Sequence, residues 1–452
     1  MRTSRSQLAL LCLVGATTQA CSWSRFDDVT ADAPIVLLEK PGSMKQGFAN
    51  TVATASNGDT TEVLVGGGIG INSGAALFDI GQGDSPGTTS VDSGYCTGGN
   101  SDCYLSSALA GFANAPGPDM SRPLCFAVGT GSVTKPGLEL RCRDASEYTL
   151  DIPKTAADLL QFSINNRQPY DYPLASDRTD HPALLVTLPQ LHTAWYYAPR
   201  SIHFTALSAP KALADEGDPA NATFGKSLTV LALGDSRVFA VGVSQKSEVL
   251  LWKAEGTDAK YIGCLGGIPG FGRALSAGRV NTDDADDLVI SDNINVTVID
   301  GEALLALPET ASTECSFASL PAGALLGSFG CGSSTSMSGC PNSEFGAAVA
   351  VGDLDGDGDG EVIVGAPQMT VRGTSGAGAL LVFDADEPSD ASFVDAKFLS
   401  SAETGDGLGA SIVTPHIKGR DIILAGAPGN GKAALFYCSP LLAPGMGGSR
   451  CP

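Results

Sequence analysis

The stretch Phe345–Pro367 limits the possible folds more than any other part of the sequence. It reads FGAAVAVGDLDGDGDGEVIVGAP, an aromatic-glycine pair and a short apolar run followed by a loop with five carboxylates at alternate positions and an apolar strand. Such carboxylates repel one another unless a cation lies between them, and calcium prefers oxygen ligands spaced around a glycine. The pattern predicts a β-hairpin with a calcium loop; a solvated acidic turn is the alternative.

The five acidic loop residues are Asp353, Asp355, Asp357, Asp359 and Glu361. The stretch resembles the FG-GAP repeat of integrin alpha-subunit β-propellers, whose loop has the pattern Asp-x-Asp-x-Asp-Gly-x-x-Asp. The first three aspartates and the glycine after them match this pattern, and Glu361 replaces its final Asp. The resemblance implies calcium as the cofactor, held by the side chains of the first three aspartates and Glu361 and by the backbone carbonyl of Asp359.

Seven places in the chain share an aromatic or leucine start, a short apolar run, a turn and two further strands. They begin at Phe48, Phe112, Phe162, Phe224, Phe271, Phe345 and Leu408. The intervals are roughly 60 residues, which suits a four-stranded blade with its loops. The repeats predict an all-β fold over residues 34–452, a seven-bladed β-propeller of four-stranded antiparallel blades. The last repeat is one strand short, so we expect Pro34–Leu38 to supply its outer strand and close the ring.

Third strands are visible in five of the repeats. They are Ala75–Phe78, Val249–Trp252, Val296–Ile299, Ala379–Phe383 and Ala433–Tyr437. Only the fifth repeat has a second, weaker form of the acidic loop, with Asn281, Asp283 and Asp287 at ligand positions. Arg279 stands at the first ligand position of that loop, and its guanidinium can fill the loop as its own cation. Metal binding in the fifth repeat is therefore open.

Residues 1–20 have the features of an export signal. Arg2 and Arg5 precede the apolar core Leu8–Ala16, which is too short to span a bilayer. Cys21 follows Thr-Gln-Ala, which looks like a bacterial lipobox, and residues 21–33 would then be a lipid-anchored linker. This interpretation places the protein on the bacterial outer membrane or cell surface, in contact with the membrane only through its lipid. Plain signal-peptidase cleavage after Ala20 is the alternative.

The cysteine count favours an oxidised, exported protein. Of the 12 cysteines, Cys12 lies in the signal and Cys21 is the lipidation candidate, which leaves an even number for disulfides. Pairing each cysteine with its sequence neighbour closes short loops, which costs little entropy. The predicted pairs are Cys96–Cys103, Cys125–Cys142, Cys264–Cys315, Cys331–Cys340 and Cys438–Cys451.

Composition excludes some classes of partner. The net charge of −22 argues against nucleic acid and against electrostatic docking on anionic lipid, since both need clustered Lys and Arg.

The aromatic run Trp195–Tyr197, close in sequence to His192 and His203, is a possible platform for stacking on sugars. Neighbouring residues of a strand point to opposite faces, however, so packing between blades is the preferred interpretation.

Three functions are compatible with the sequence. The preferred hypothesis is a surface binding or adhesion module for a protein or glycan, because the resemblance implies such binding at the face opposite the calcium loops. We expect no enzymatic activity, since the sequence contains no convincing catalytic set. The alternatives are a propeller hydrolase or lyase acting at the central channel, and a structural protein of the cell envelope.

Overall fold

The computed structural model shows an all-β protein built from seven four-stranded antiparallel sheets and one small hairpin. It describes residues 35–39, 48–56, 60–67, 74–80, 88–91, 105–112, 124–131, 136–142, 147–154, 156–157, 173–177, 179, 182–199, 201–207, 223–255, 258–307, 315–316, 320–330, 342–384, 392–399, 401–417 and 419–436. The signal, Cys21 and the linker lie outside these residues.

The described part of the chain contains the following strands, numbered in chain order. They are β1 (Ile35–Glu39), β2 (Phe48–Ser56), β3 (Thr61–Gly67), β4 (Gly74–Ile80), β5 (Thr88–Val91), β6 (Leu105–Phe112), β7 (Cys125–Gly131), β8 (Pro136–Cys142), β9 (Glu147–Leu150), β10 (Leu174–Ser176), β11 (Leu184–Leu188), β12 (Thr193–Tyr197), β13 (Phe204–Leu207), β14 (Phe224–Leu233), β15 (Ser236–Val243), β16 (Glu248–Glu255), β17 (Asp258–Gly266), β18 (Leu275–Gly278), β19 (Asp287–Ser291), β20 (Asn295–Ile299), β21 (Leu325–Gly330), β22 (Val349–Gly352), β23 (Glu361–Ala366), β24 (Ala379–Asp384), β25 (Ser392–Lys397), β26 (Ile412–Val413), β27 (His416–Ile417), β28 (Arg420–Asp421), β29 (Ile423–Ala427) and β30 (Lys432–Phe436). A short helix, α1 (Gly301–Leu305), follows β20. No helix among the described residues has the length and apolarity of a membrane span.

Each set of four consecutive strands from β2 to β25 forms one blade, which gives blades one to six. Blade seven contains β26, β29 and β30, with β1 as its fourth strand. The innermost strands β2, β6, β10, β14, β18, β22 and β26 lie side by side in this order, and β26 returns to β2. This arrangement confirms the predicted seven-bladed propeller.

The ring is closed by the N-terminal strand, as predicted. Strand β1 pairs antiparallel with β30, in a register that runs from Ile35 opposite Phe436 to Glu39 opposite Lys432. The last blade would otherwise leave an unpaired edge at β30, and such edges favour pairing with other chains. The third strands predicted from the sequence all occupy the third position of their blades.

The hydrophobic core is divided among the junctions between blades. The buried apolar side chains form seven clusters, each shared by two neighbouring blades. Strand β23 shows why its sequence is apolar throughout: Val362 and Val364 pack against blade five, whereas Ile363 packs against blade seven. Both faces of a blade are therefore buried, and strict apolar-polar alternation is absent.

The aromatic residue and the turn at the start of a blade connect that blade to the preceding one. Phe345 is buried at the junction of blades five and six, and Gly346 follows with a φ of 78°. The carbonyl oxygen of Gly346 accepts a hydrogen bond of 2.7 Å from the Ser291 hydroxyl of blade five. Equivalent bonds run from Thr187 to Gly225, from Ser227 to Gly272 and from Ser411 to Ala49.

One of the predicted repeat starts differs from the structure. Phe112 ends the innermost strand of blade two, which begins at Leu105. A register shift follows Leu105, as it follows Phe48 and Phe224, so Leu105 takes the place of the aromatic residue in blade two. Phe162 lies outside the described residues, and the first strand of blade three begins at Leu174. A leucine without a following glycine gives no sequence signal for the turn.

Two of the predicted disulfides are present. Cys125 and Cys142 are opposite each other on β7 and β8 of blade two. Cys264, on the outer strand of blade four, is bonded to Cys315, in the connection between β20 and β21 of blade five. The pairs at 96–103, 331–340 and 438–451 lie outside the described residues.

We predict that Gly426→Ala destabilises the ring where blade seven meets blade one. A Cβ at Gly426 would lie 1.9 Å from the carbonyl oxygen of Ala49, which is backbone and cannot rotate away. Overpacking of this kind costs about 1–3 kcal/mol. Urea denaturation should show the loss, and Gly327→Ala is the control, since its Cβ would meet nothing closer than 3.4 Å. Equal stabilities of the two variants would contradict the close contact.

Candidate metal centre

The acidic loop of blade six connects the innermost strand β22 to β23. It begins at Asp353, directly after β22, and ends at Gly360, directly before β23. Gly356 and Gly358 have φ angles of 83° and 105°, in the left-handed region that glycine adopts without strain. The chain can therefore fold back at both glycines, which brings Asp357 towards the two aspartates before it.

Three carboxylates converge in this loop. Oxygen atoms of Asp353, Asp355 and Asp357 lie within 4.8 Å of one another. Two ligands of one calcium ion are at most twice the bond length apart, about 4.6–5.2 Å for bonds of about 2.3–2.6 Å. The donor set consists of oxygen atoms on one turn, which is the chemistry that calcium prefers. These residues fit a calcium ion.

Hydrogen bonds from the loop backbone fix the three carboxylates. Asp353 accepts from the amides of Gly356 and Gly358, at 2.6 and 3.1 Å. The Asp355 carboxylate accepts from the amide of Asp357 at 3.2 Å. Partial burial, with the neighbouring charges, raises the pKa of Asp353 and of Asp355 above the usual value. A cation would remove the repulsion that contributes to both shifts.

Glu361 lies next to the three aspartates at the start of β23. Its Oε2 accepts a hydrogen bond of 2.8 Å from the amide of Leu354. Burial raises the pKa of Glu361 to about 8, and the charges of Asp355 and Asp357 add to the rise. Asp359, the expected carbonyl ligand, donates its amide to Asp357 at 3.1 Å. Of the residues predicted in blade six, the three aspartates thus converge, and Asp359 and Glu361 are hydrogen-bonded to the same loop.

The acidic loop of blade five contributes two of the predicted residues, Asp283 and Asp287, to a group of three converging carboxylates. The converging carboxylates belong to Asp283, Asp287 and Asp300. Asn281 is turned to the loop backbone, where its side-chain oxygen accepts from the amide of Asp283 at 2.9 Å. Asp287 is fully buried and accepts from the amides of Val280 and Gly301, and burial raises its pKa to about 7.

Sequence reasoning missed Asp300 because it belongs to another connection. It follows the third strand β20 and caps α1, accepting from the amides of Glu302 and Ala303. Arg279, proposed as an internal cation, lies 3.4 Å from Asp284, and both side chains are largely exposed. An exposed pair of this kind contributes little to stability. The sequence signal for Asp300 is its position directly before the helix Gly301–Leu305, where aspartate is a preferred N-cap residue.

The aromatic run in blade three is part of the core. Trp195, Tyr196 and Tyr197 are at most 2% exposed. The Trp195 indole donates to the Tyr197 hydroxyl at 3.0 Å, and this hydroxyl donates to the backbone of Asp151. These side chains are covered by neighbouring strands and leave no aromatic surface for a sugar.

A central channel lies between the innermost strands. Its cavity of about 480 Å³ is lined by Ala53, Ala175, Thr229, Ser276, Ala350 and Thr414, among other residues of six blades. His416 also lines it, with Nδ1 2.9 Å from Oδ1 of Asp421. A second cavity, also of about 480 Å³, adjoins it at the end where the acidic loops lie and includes Asp353 and Arg279.

Comparison with known proteins supports this description of blade six. Residues 345–383 match the FG-GAP repeat family. They include the aromatic-glycine turn, β22, the acidic loop, β23 and most of β24. The protein is thus a seven-bladed β-propeller that carries an FG-GAP repeat in its sixth blade. No curated protein sequence matches the chain.

Solved structures share the fold at low sequence identity. A virginiamycin B lyase from Staphylococcus aureus is 9% identical with a TM-score of 0.50, and the match covers 89% of this chain and 99% of that one. A six-bladed fungal lectin, the Aleuria aurantia lectin, is 11% identical with a TM-score of 0.40 and coverage of 76% and 93%. A β-propeller domain from Myceliophteria thermophila is 12% identical with a TM-score of 0.45 and coverage of 89% and 100%. Such likeness shows the fold alone.

We predict that the metal-free protein loses stability as the pH rises. The pKa of Glu361 is raised from 4.5 to about 8 in the folded protein, so the folded state binds its proton more tightly than the unfolded state does. This contribution is fully present below pH 4.5 and is lost as the pH rises towards about 8. Melting curves in a chelator should show the decline.

Glu361→Gln should flatten this pH profile, because the amide cannot ionise. Glu344→Gln, which changes an exposed carboxylate at the opposite face, is the matched control and should leave the profile as it is. An unchanged slope in Glu361→Gln would refute the assignment to this carboxyl group.

Proposed function

We propose that this protein is an exported, lipid-anchored β-propeller that binds calcium in blade six and recognises a protein or glycan ligand. The observation that supports calcium best is the convergence of Asp353, Asp355 and Asp357 within 4.8 Å in a segment that matches the FG-GAP repeat. Export and anchoring rest on the signal-like residues 1–20 and on Cys21. An enzyme acting at the channel and a structural envelope protein are the alternative hypotheses.

In the proposed site the side chains of the three aspartates and of Glu361 supply oxygen ligands, and Asp359 supplies its carbonyl. The ion would neutralise a loop whose carboxylates otherwise repel one another. Since this arrangement exists only in the folded hairpin, calcium would stabilise the native state by mass action. The role of the metal is therefore structural: it orders the connection between β22 and β23.

Removal of calcium should lower the melting temperature of the wild-type protein. Asp357→Ala deletes one of the three converging carboxylates and should abolish most of this response, because an oxygen site that loses one charged ligand binds calcium more weakly. Asp283→Ala, in the corresponding loop of blade five, is the matched control and should reduce the response less. If melting curves with and without chelator are identical and the purified protein contains no calcium, the loop is only an acidic turn and the proposed site is wrong.

The proposed ligand site is the face opposite the acidic loops. The connections between second and third strands, and those from one blade to the next, lie on that face because consecutive strands are antiparallel. Two adjacent connections there expose Ile268 and Ile294, at 46% and 56%. They are held together by the Asn293 side chain, which donates to the carbonyl of Pro269 at 3.1 Å. Paired exposed apolar residues on a rigid support are a feature of binding surfaces.

The double variant Ile268→Asp/Ile294→Asp should lose ligand binding and keep its fold. Contact with a partner would remove water from the introduced aspartates, and this costs free energy. Burial of the isoleucines carries no such cost. Binding can be measured with a glycan array and by pull-down from cell-surface extracts, each with and without calcium. Leu325→Asp is the matched control, since Leu325 is 55% exposed on the outer strand of blade five. Undiminished binding by the double variant, or equal loss in the control, would contradict this location.

A further inference from the structure

Blade seven holds the first residue of the acidic loop of blade six. The amide of Asp421 donates to the carbonyl of Asp353 at 2.6 Å. In return, the amide of Asp353 donates to Oδ2 of Asp421 at 3.2 Å. These two bonds fix the backbone of Asp353 from outside its own hairpin, just where the chain leaves β22.

The same aspartate is connected to the closure of the ring. Asp421 is buried at 8% exposure, and its Oδ1 lies 2.9 Å from Nδ1 of His416. The carbonyl oxygen of His416 accepts a hydrogen bond of 2.7 Å from the hydroxyl of Thr61 in blade one. A continuous series of hydrogen bonds therefore runs from the acidic loop through blade seven to blade one.

We infer that Asp421 is a positioning residue for the metal loop of blade six, and that calcium binding there strengthens the closure of the ring. The inference rests on the proposed calcium site. The Asp353 carboxylate can point at an ion only if its backbone is held, and partners of this kind outside the ligand set commonly change metal affinity about 10–100-fold. Coupling is reciprocal: if the closed junction favours calcium, calcium favours the closed junction by the same factor.

Another junction provides the comparison. Asp286 of blade five makes the same pair of contacts with Ala232 of blade four, accepting from its amide at 2.8 Å and donating to its carbonyl at 3.1 Å. No series of carboxylates at alternate positions follows Ala232 in the sequence. This cross-blade contact thus occurs at two junctions among the described residues, and in blade seven it is made to the loop with the nearly complete metal motif.

The first experiment measures calcium affinity by titration calorimetry on the whole mature chain. Asp421→Ala should weaken binding at least tenfold, whereas Asp421→Asn keeps an acceptor for the Asp353 amide and should stay within about threefold of the wild type. Asp286→Ala is the matched control, which loses an equivalent contact at another junction and should keep the affinity of the wild type. If wild type binds calcium and Asp421→Ala binds it equally well, the inference is wrong and the proposed site stands.

The second experiment needs no variant and so does not depend on the folding of Asp421→Ala. Calcium should slow amide hydrogen exchange of the wild-type protein in β26, β29 and β1, beyond the loop itself. Strands β11 and β12 of blade three, which lie away from this series of bonds, should exchange at the same rate with and without the ion. Protection limited to residues 353–361 would overturn the coupling, and absence of any calcium binding would overturn the proposed site as well.

Discussion

The ring depends on the insertion of each aromatic-glycine turn into the preceding blade. The aromatic side chain fills the junction, and the next carbonyl meets the second or innermost strand of the blade before it. That strand must leave room for the carbonyl. A Cβ at Gly242 would lie 2.3 Å from the carbonyl oxygen of Gly272, and one at Gly365 would lie 2.1 Å from that of Gly409. Small residues in second strands are thus required by neighbouring blades, since a larger side chain would push two sheets apart.

The same constraint explains where the acidic loops lie. Once the turn fixes the start of an innermost strand, its other end meets the preceding blade. At this end of blade six, Gly360 lies directly before β23, and its Cβ would lie 2.3 Å from the carbonyl oxygen of Arg279 in blade five. Asp421 and Asp286 reach the preceding blade from the corresponding connections. The geometry of the acidic loop of blade six therefore depends on three adjacent blades and not on one hairpin.

Local pattern was enough to predict the fold, because a propeller repeats one local unit whose turns have a sequence signal. It failed where the signal is replaced: Leu105 stands at the register position that Phe48 and Phe224 occupy in their blades, and no glycine directly after it marks a turn. The blade-six loop could be predicted because its residues are contiguous. Asp300 and Asp421 could not, since each arrives from another connection and only the packing of strands brings it to the loop.

Charge compensation at the ends of innermost strands has more than one solution in this ring. In blade three the residue after β10 is Asp177, at 4% exposure, and Arg237 of blade four lies 2.7 Å from its carboxylate. A buried carboxylate is costly unless it is paired and hydrogen-bonded, and Asp177 also accepts from the amide of Ala183 at 3.0 Å. Asp353 occupies the matching position in blade six, directly after β22. A guanidinium from the neighbouring blade neutralises the carboxylate in blade three, whereas an exchangeable ion is proposed for the matching position in blade six.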